Sequence, residues 1–292
     1  MVERAQQSTA PVLLYTGVFA GWFVVEFFLR AQGIRYQYVG DRDLEQFQFG
    51  PEHRLFFFPP GHCFGRVPKW ALGRGPATER LRTAIANGLN YLGISAGAFA
   101  TLSTPSWPID LDLGLCTAQH RWPGETGAGT QFLTVQADEA LTARAGLPNS
   151  KLRVWYHNSP ILVRHHPPRC RARVIFTPTR GERRVARGKF LAGKHLTGVP
   201  AVSECSFGKG RVQLCSIHIE MGDLSIGEWQ AHMRQWLADH LEAQEGMDSM
   251  EPGNRGHRLF MRTRGGRWMR PVRESRGWRL LRAMVDELLE PQ

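Results

Sequence analysis

The chain has 292 residues, of which 42% are hydrophobic and 22% are charged, a balance typical of a globular protein with a core of normal size. The formal net charge is +11, but residues 251–292 hold ten arginines against five acidic residues, so the body carries only a mild basic excess. This composition therefore excludes a disordered chain. The mild basic excess of the body does not by itself indicate an anionic partner.

An apolar segment near the start, residues 11–29, is about as long as a membrane span. Glu26 lies inside it, Gly17 and Gly21 interrupt it, and no basic cluster precedes it, so neither a signal peptide nor a membrane span is expected. We interpret the segment as a strand over 12–15, a glycine turn and a buried helix.

Predicted strands and helices then alternate, which indicates a parallel sheet flanked by helices. The segment 101–130 is rich in Pro, Gly and Thr, and we expect it to lie over the carboxyl edge of the sheet. The predicted strands are 34–39, 55–58, 90–94, 131–136, 152–156, 161–164 and 172–177, with a hairpin over 201–218. The predicted helices are 77–88, 225–241 and 278–289.

The C-terminal extension, residues 246–292, differs in composition from the α/β domain predicted over 1–245. Two interpretations of it stay open: a solvated basic appendage, or a docking element for an acidic protein partner. Nucleic acid is the less favoured partner because no nucleic-acid-binding fold accompanies the arginines. Those arginines recur every third residue, at 264, 267, 270, 273, 276, 279 and 282.

Five cysteines are scattered along the chain without a C-x-x-C pair: Cys63, Cys116, Cys170, Cys205 and Cys215. This odd, irregular set argues against a disulfide framework and against a zinc ribbon. It predicts a reducing compartment, hence a cytoplasmic protein, and we expect neither a metal ion nor a cofactor.

A short motif, G-I-S-A-G-A over 93–98, fits the G-x-S-x-G pattern of a nucleophile elbow. A predicted strand precedes Ser95 and a predicted helix follows it, and small neighbours allow the sharp turn between them. Such a turn exposes Ser95 as a nucleophile and offers the backbone N–H of Ala96 to an oxyanion. Glycine-rich strand ends also occur in α/β sheets without catalysis.

A serine nucleophile needs a base, and H-I-E over 218–220 follows the predicted hairpin. Side chains alternate along a strand, so His218 and Glu220 can point the same way. Glu220 would then orient His218 and stabilise its imidazolium, as in a Ser-His-acid triad. The alternative is that the two residues only end an edge strand.

Five stretches together carry a family resemblance: V-L-L-Y-T-G (12–17), F-F-F-P-P-G-H (56–62), G-L-N-Y-L-G-I-S-A-G-A-F-A (88–100), L-R-V-W-Y-H-N-S-P (152–160) and P-A-V-S-E-C-S-F-G-K-G-R-V-Q-L-C-S-I-H-I-E (200–220). They resemble the class I glutamine amidotransferase-like superfamily, and most of all the amidotransferase-like domain at the N-terminus of biotin–protein ligases. The resemblance implies an α/β, flavodoxin-like three-layer sandwich with a mostly parallel central sheet. The ligase's catalytic half is absent, so a free-standing domain is expected.

The resemblance also implies site residues. Ser95 takes the nucleophile position, with His218 and Glu220 as its partners, and the loop at Gly61 and His62 contributes an oxyanion contact. Tyr156 and Asn158 fall where the family has an aromatic-Asn segment near the pocket mouth, so they would line a substrate site or close the core.

Two departures from the family pattern bear on activity. Family elbows usually carry cysteine where this chain has Ser95, and His62 replaces a glycine. Glutamine hydrolysis in the superfamily uses a thiolate, whereas the related peptidase E and cyanophycinase use serine. The leading hypothesis is therefore a serine-type hydrolase of a small-molecule amide or ester. The alternatives are a non-catalytic small-molecule or protein-binding regulatory module, and a glutaminase whose cysteine is replaced.

Overall fold

The computed structural model describes residues 10–17, 22–61, 75–101, 113–116, 119–121, 130–157, 159–164, 170–178, 196–222 and 275–291. The predicted helix 225–241 lies outside these residues.

A nine-stranded mixed sheet forms the centre of the protein. Its strands are β1 (Val12–Tyr15), β2 (Tyr36–Val39), β3 (Leu55–Phe58), β4 (Asn90–Ile94), β6 (Thr130–Ala137), β7 (Lys151–His157), β9 (Cys170–Phe176), β10 (Pro200–Phe207) and β11 (Gly210–Cys215). The order is β2-β1-β3-β4-β11-β10-β9-β6-β7, in which the first five strands are parallel and the rest pair antiparallel. A separate two-stranded antiparallel sheet joins β5 (Gln119–Arg121) to β8 (Ile161–Arg164).

Helices cover both faces of the central sheet. They are α1 (Trp22–Ala31), α2 (Asp41–Leu44), α3 (Pro76–Ala86), α4 (Ala96–Phe99), α5 (Glu139–Arg144) and α6 (Arg276–Leu289), with a 3₁₀ turn at Ile219–Met221. The predicted flavodoxin-like α/β architecture is therefore confirmed, and the hairpin turns at Gly208 as the sequence predicts.

Neighbouring side chains of the parallel strands enter opposite core clusters. In β1, Leu14 packs with α1 and α6, whereas Leu13 packs on the other face with α3. In β3, Phe57 packs in the same cluster as Leu14, and Phe56 packs in the same cluster as Leu13. A strand buried on both faces needs apolar residues at every position, which explains the continuous apolar runs in the sequence.

Helix α1 accounts for the apolar segment near the start of the chain. Its one acid, Glu26, is buried, and the hydroxyl groups of Tyr36 and Tyr38 both donate to Glu26 Oε1 at 2.6 Å. Burial first, and then these bonds to Glu26, raise the pKa of both tyrosines well above their usual range. None of the helices in the described part of the chain has the length and apolarity that a bilayer crossing needs.

The last helix, α6, packs in the same core cluster as α1. Its residues Trp278, Leu281, Val285 and Leu288 are buried, because they recur at helical spacing on one side. The predicted boundary at 245 stays a prediction, but this part of the extension is not a solvated appendage.

Three arginines of α6 are used within the protein. Arg276, Arg279 and Arg282 all donate to backbone carbonyl groups of other elements, and Arg282 also pairs with Asp286 at 2.7 Å. The carbonyl acceptors belong to Gln32, Ala145, Gly146, Asn149 and Lys151. An acidic partner of the C-terminal extension stays a prediction. The arginines that would bind it are those of the extension other than these three.

A buried ion network joins α6 to the antiparallel strands. Arg173 and Arg211 each contact both Glu204 of β10 and Glu287 of α6, at 2.6–3.0 Å. Burial alone would raise the pKa of Glu204, but hydrogen bonds from Gln213, Arg211 and other arginines outweigh it and lower the pKa to about 2.

Two cysteines form a disulfide across neighbouring strands. Cys170 of β9 lies directly opposite Cys205 of β10, and their sulfurs are bonded. The irregular spacing argues against a disulfide framework, and it does not predict this single disulfide, because strand register, and not sequence separation, brings the two residues together.

Candidate active site

The turn between β4 and α4 has the backbone of a nucleophile elbow. Ser95 has φ 51° and ψ −101°, and it is the one non-glycine residue with positive φ in the described part of the chain. A Cβ atom at Gly93 would lie 2.4 Å from the carbonyl oxygen of Gly97, and one at Gly97 would lie 2.4 Å from that of Phe58. Both glycines of G-x-S-x-G are therefore required by close backbone contact.

Ser95 is anchored to the neighbouring parallel strand. Ile94 lies opposite Cys215 of β11, and the N–H of Ser95 donates to the carbonyl of Cys215 at 2.9 Å. His218 comes three residues after Cys215, so both Ser95 and His218 lie beyond the carboxyl ends of adjacent strands. Ser95 and His218 are each 8% exposed.

His218 and Glu220 are in direct contact. The distance from His218 Nδ1 to Glu220 Oε1 is 2.6 Å, and the Glu220 side chain is almost fully buried. A carboxylate can only accept, so Nδ1 is the donor in this contact, and in the neutral imidazole Nε2 then has the lone pair that a general base needs. The Glu220 Oε2 atom is buried with no hydrogen-bond partner among the described residues.

The contact between His218 and Glu220 arises from a turn. The expected alternation of side chains along a strand does not produce it. Strand β11 ends at Cys215, and His218 precedes the 3₁₀ turn that contains Glu220. The N–H of His218 donates to the carbonyl of Trp155 at 2.7 Å in an isolated β-bridge. This bond fixes where the turn begins.

Helix α6 holds the other end of that turn. The indole N–H of Trp278 donates to the carbonyl of Glu220 at 2.7 Å. A Cβ atom at Gly277 would lie 2.8 Å from the carbonyl oxygen of Ile219, so the helix start needs glycine there. Helix α6 of the C-terminal extension thus supports the turn that carries the candidate general base.

A second serine, which the sequence argument missed, lies beside the imidazole. Ser159 is fully buried, and its Oγ is 3.4 Å from His218 Nε2. The hydroxyl of Tyr156 donates to the carbonyl of Ser159 at 2.6 Å, and burial raises the pKa of Tyr156 well above its usual range. Tyr156 is thus a core residue behind Ser159, and no local pattern marked Ser159.

The other predicted site residues have mixed placement. Ala96 is buried as the first residue of α4, and Gly61 follows β3, the neighbour of β4 on the side away from β11. Both lie beyond the carboxyl ends of adjacent strands, where the oxyanion donors are expected. His62 and Asn158 lie outside the described residues, and their roles stay predictions.

Comparison with known proteins identifies the fold. No protein-family model matches the sequence, and no curated protein matches it either. The solved structure of PurLQS from Thermotoga maritima aligns over 96% of this chain and 99% of its own, at 13% identity and a TM-score of 0.53. A glutamine amidotransferase from Thermotoga maritima aligns over 96% of this chain and 98% of its own, at 17% identity and a TM-score of 0.47. At such low identity the likeness to PurLQS concerns the fold alone, and the chain has the predicted glutamine amidotransferase-like α/β fold.

Proposed function

We propose that the protein is a serine hydrolase that cleaves an amide or ester bond of a small molecule, with Ser95 as the nucleophile. One observation carries the proposal: the buried 2.6 Å contact between His218 and Glu220, at the sheet edge where the strained Ser95 elbow also ends. Strained backbone of this kind persists where the surrounding structure enforces it, as at active sites.

The chemistry follows the roles of a Ser-His-acid triad. Ser95 Oγ attacks the substrate carbonyl, and His218 Nε2 accepts the hydroxyl proton as that bond forms. Glu220 stabilises the imidazolium through Nδ1–H, and His218 then returns the proton to the leaving amine or alcohol. Water repeats the sequence on the acyl-enzyme and releases the acid.

The developing oxyanion requires donors beside Ser95. The backbone N–H groups of Ala96 and Gly61 are the proposed pair, because Ala96 directly follows Ser95 and Gly61 follows β3, the strand beside β4. Backbone donors of this kind depend on the chain path and not on side-chain identity, so His62 in place of glycine leaves this part of the proposal intact.

Covalent labelling tests the proposal. A fluorophosphonate probe should label the wild-type protein on Ser95, as located by mass spectrometry of the labelled peptide. The Ser95→Ala variant should lose all labelling, whereas Ser206→Ala, which removes an exposed serine of the hairpin, should keep it. Absence of labelling in a folded wild-type protein would overturn the proposal and favour a non-catalytic binding module.

The glutaminase alternative has its own test. A Ser95→Cys variant that releases ammonia from glutamine, while the wild-type protein carries no probe on Ser95, would show that the elbow is built for a thiolate. Labelling of Ser95 in the wild type together with no ammonia release from the variant supports the serine hydrolase.

A further inference from the structure

Three cysteines that are distant in sequence meet at one point on the α3 face of the sheet. Cys170 and Cys205 are joined by a disulfide, and Cys116 Sγ lies 2.9 Å from Cys205 Sγ and 3.8 Å from Cys170 Sγ. The middle sulfur, Cys205, is therefore within contact of two partners. The proposed hydrolase mechanism does not use this group.

The surroundings differ among the three sulfurs. Cys116 and Cys205 are buried among apolar side chains of one core cluster, whereas Cys170 is only half-buried. A thiol released at Cys170 can therefore meet solvent, and a thiol at Cys116 is shielded from it.

We propose that this group is a thiol–disulfide exchange site, in which Cys205 bonds to either Cys170 or Cys116. In the exchange, the Cys116 thiolate attacks Cys205 Sγ, the Cys116–Cys205 bond forms and the Cys170–Cys205 bond breaks. The electron pair of the broken bond stays on Cys170, which takes up the proton that Cys116 lost. One disulfide replaces another, so the step needs no oxidant or reductant.

The exchange would move a covalent link toward the elbow. The Cys170–Cys205 bond joins β9 to β10, two strands that already pair. The N–H of Cys116 donates to the carbonyl of Thr101 at 3.3 Å, just beyond α4, so a Cys116–Cys205 bond would tie the segment after the elbow helix to β10.

Disulfide mapping of the full-length wild-type protein tests the proposal. The protein is equilibrated in mixed reduced and oxidised glutathione, quenched in acid, alkylated with N-ethylmaleimide and digested with pepsin at low pH. We expect two mutually exclusive linked peptides, Cys170–Cys205 and Cys116–Cys205, with alkylated Cys170 accompanying the second. Recovery of Cys170–Cys205 alone at every glutathione ratio would overturn the proposal.

Single variants sharpen the result. Cys170→Ser should shift the whole disulfide population to Cys116–Cys205, Cys116→Ser should leave only Cys170–Cys205, and Cys205→Ser should leave both other thiols open to alkylation. Cys215→Ser is the matched control, because this buried thiol donates to the carbonyl of Ile217 outside the group, and it should leave both linked peptides.

Two outcomes contradict the exchange. Recovery of Cys116 and Cys205 both in alkylated form from a Cys170→Ser variant, whose circular dichroism matches the wild type, would show that Cys116 takes no part in the exchange. Alternatively, one metal ion per chain, measured by mass spectrometry of the native protein and protecting all three thiols, would show a metal–thiolate site in place of the disulfides.

Discussion

The two parts of the candidate active site are held in place by very different means. The motif of the elbow is local, because Gly93, Ser95 and Gly97 lie within five residues, and the contacts that demand both glycines come from this turn and from Phe58 at the end of the neighbouring strand β3. The base is not local, because His218 and Glu220 are fixed by Trp155 and Trp278, which lie about sixty residues away on either side. A local sequence motif can therefore predict the nucleophile, whereas the position of the general base depends on how distant parts of the chain pack.

Helix α6 is the distant element that holds the His218–Glu220 turn. It contacts the His-Glu turn through Trp278, and the network of Glu204 and Glu287 ties it to the antiparallel strands. Substitutions in the elbow and substitutions in α6 should therefore differ in their effects on the labelling rate and on the free energy of unfolding.

The largest effect is expected from Glu220→Gln. An amide keeps the shape of the carboxylate but does not stabilise the imidazolium and can favour the wrong tautomer, so the rate of fluorophosphonate labelling should fall about 10⁴-fold. The matched control is Glu139→Gln, which changes an exposed acid of α5 and should label like the wild type. A rate for Glu220→Gln within tenfold of the wild type would remove Glu220 from the triad.

The Gly97→Ala substitution changes the elbow and leaves the His218–Glu220 turn unaltered. The new Cβ would lie 2.4 Å from the carbonyl oxygen of Phe58, so the strand backbone must move, and we expect the free energy of unfolding to fall by about 3 kcal/mol. Gly33→Ala is the control, because Gly33 has φ 65° with open space around it and should cost only about 1 kcal/mol of backbone strain. Urea unfolding measures both, and equal losses would mean that close packing does not shape the elbow.

The ion network predicts an acid-sensitive attachment of α6. The pKa of Glu204 is about 2, below the usual range for glutamate, so the unfolded state binds this proton more readily. The stabilisation is present above about pH 4.5 and is lost as pH falls toward about 2, an effect on the order of 3 kcal/mol. Urea unfolding between pH 5 and 2 should therefore show the gap between wild type and Glu204→Gln closing as pH falls, and a constant gap would contradict it.

Much of the fold follows from sequence for a physical reason. Continuous apolar runs such as Leu55–Phe58 are typical of parallel strands buried on both faces, and the glycines around Ser95 allow the sharp turn that close backbone contacts require. These features depend on neighbours in the chain. The strands, the hairpin and the elbow were predictable on that basis.

The remainder depends on contacts that no local pattern encodes. The arginines of α6 suggest a solvated face, yet Arg279 and Arg282 donate to carbonyl groups of other elements. The apolar positions of α6 recur at helical spacing, and this signal could have predicted that the helix is buried. Ser159 beside His218, and Cys116 beside Cys205, result from the packing of segments that are distant in sequence, which no local pattern specifies.

Trp278→Phe should have the smallest effect and the most diagnostic one. Phenylalanine keeps most of the aromatic packing against Phe28 but removes the N–H that bonds the carbonyl of Glu220, which should cost about 1 kcal/mol of unfolding free energy. Because the turn loses its anchor, the labelling rate of Ser95 should also fall about tenfold. The control, Leu281→Val, removes a methylene group from the same buried face of α6 at a similar cost in stability, and it should leave labelling unchanged. If both variants slow labelling equally, α6 supports the site only through general stability, and the difference between a locally built elbow and a remotely held base disappears.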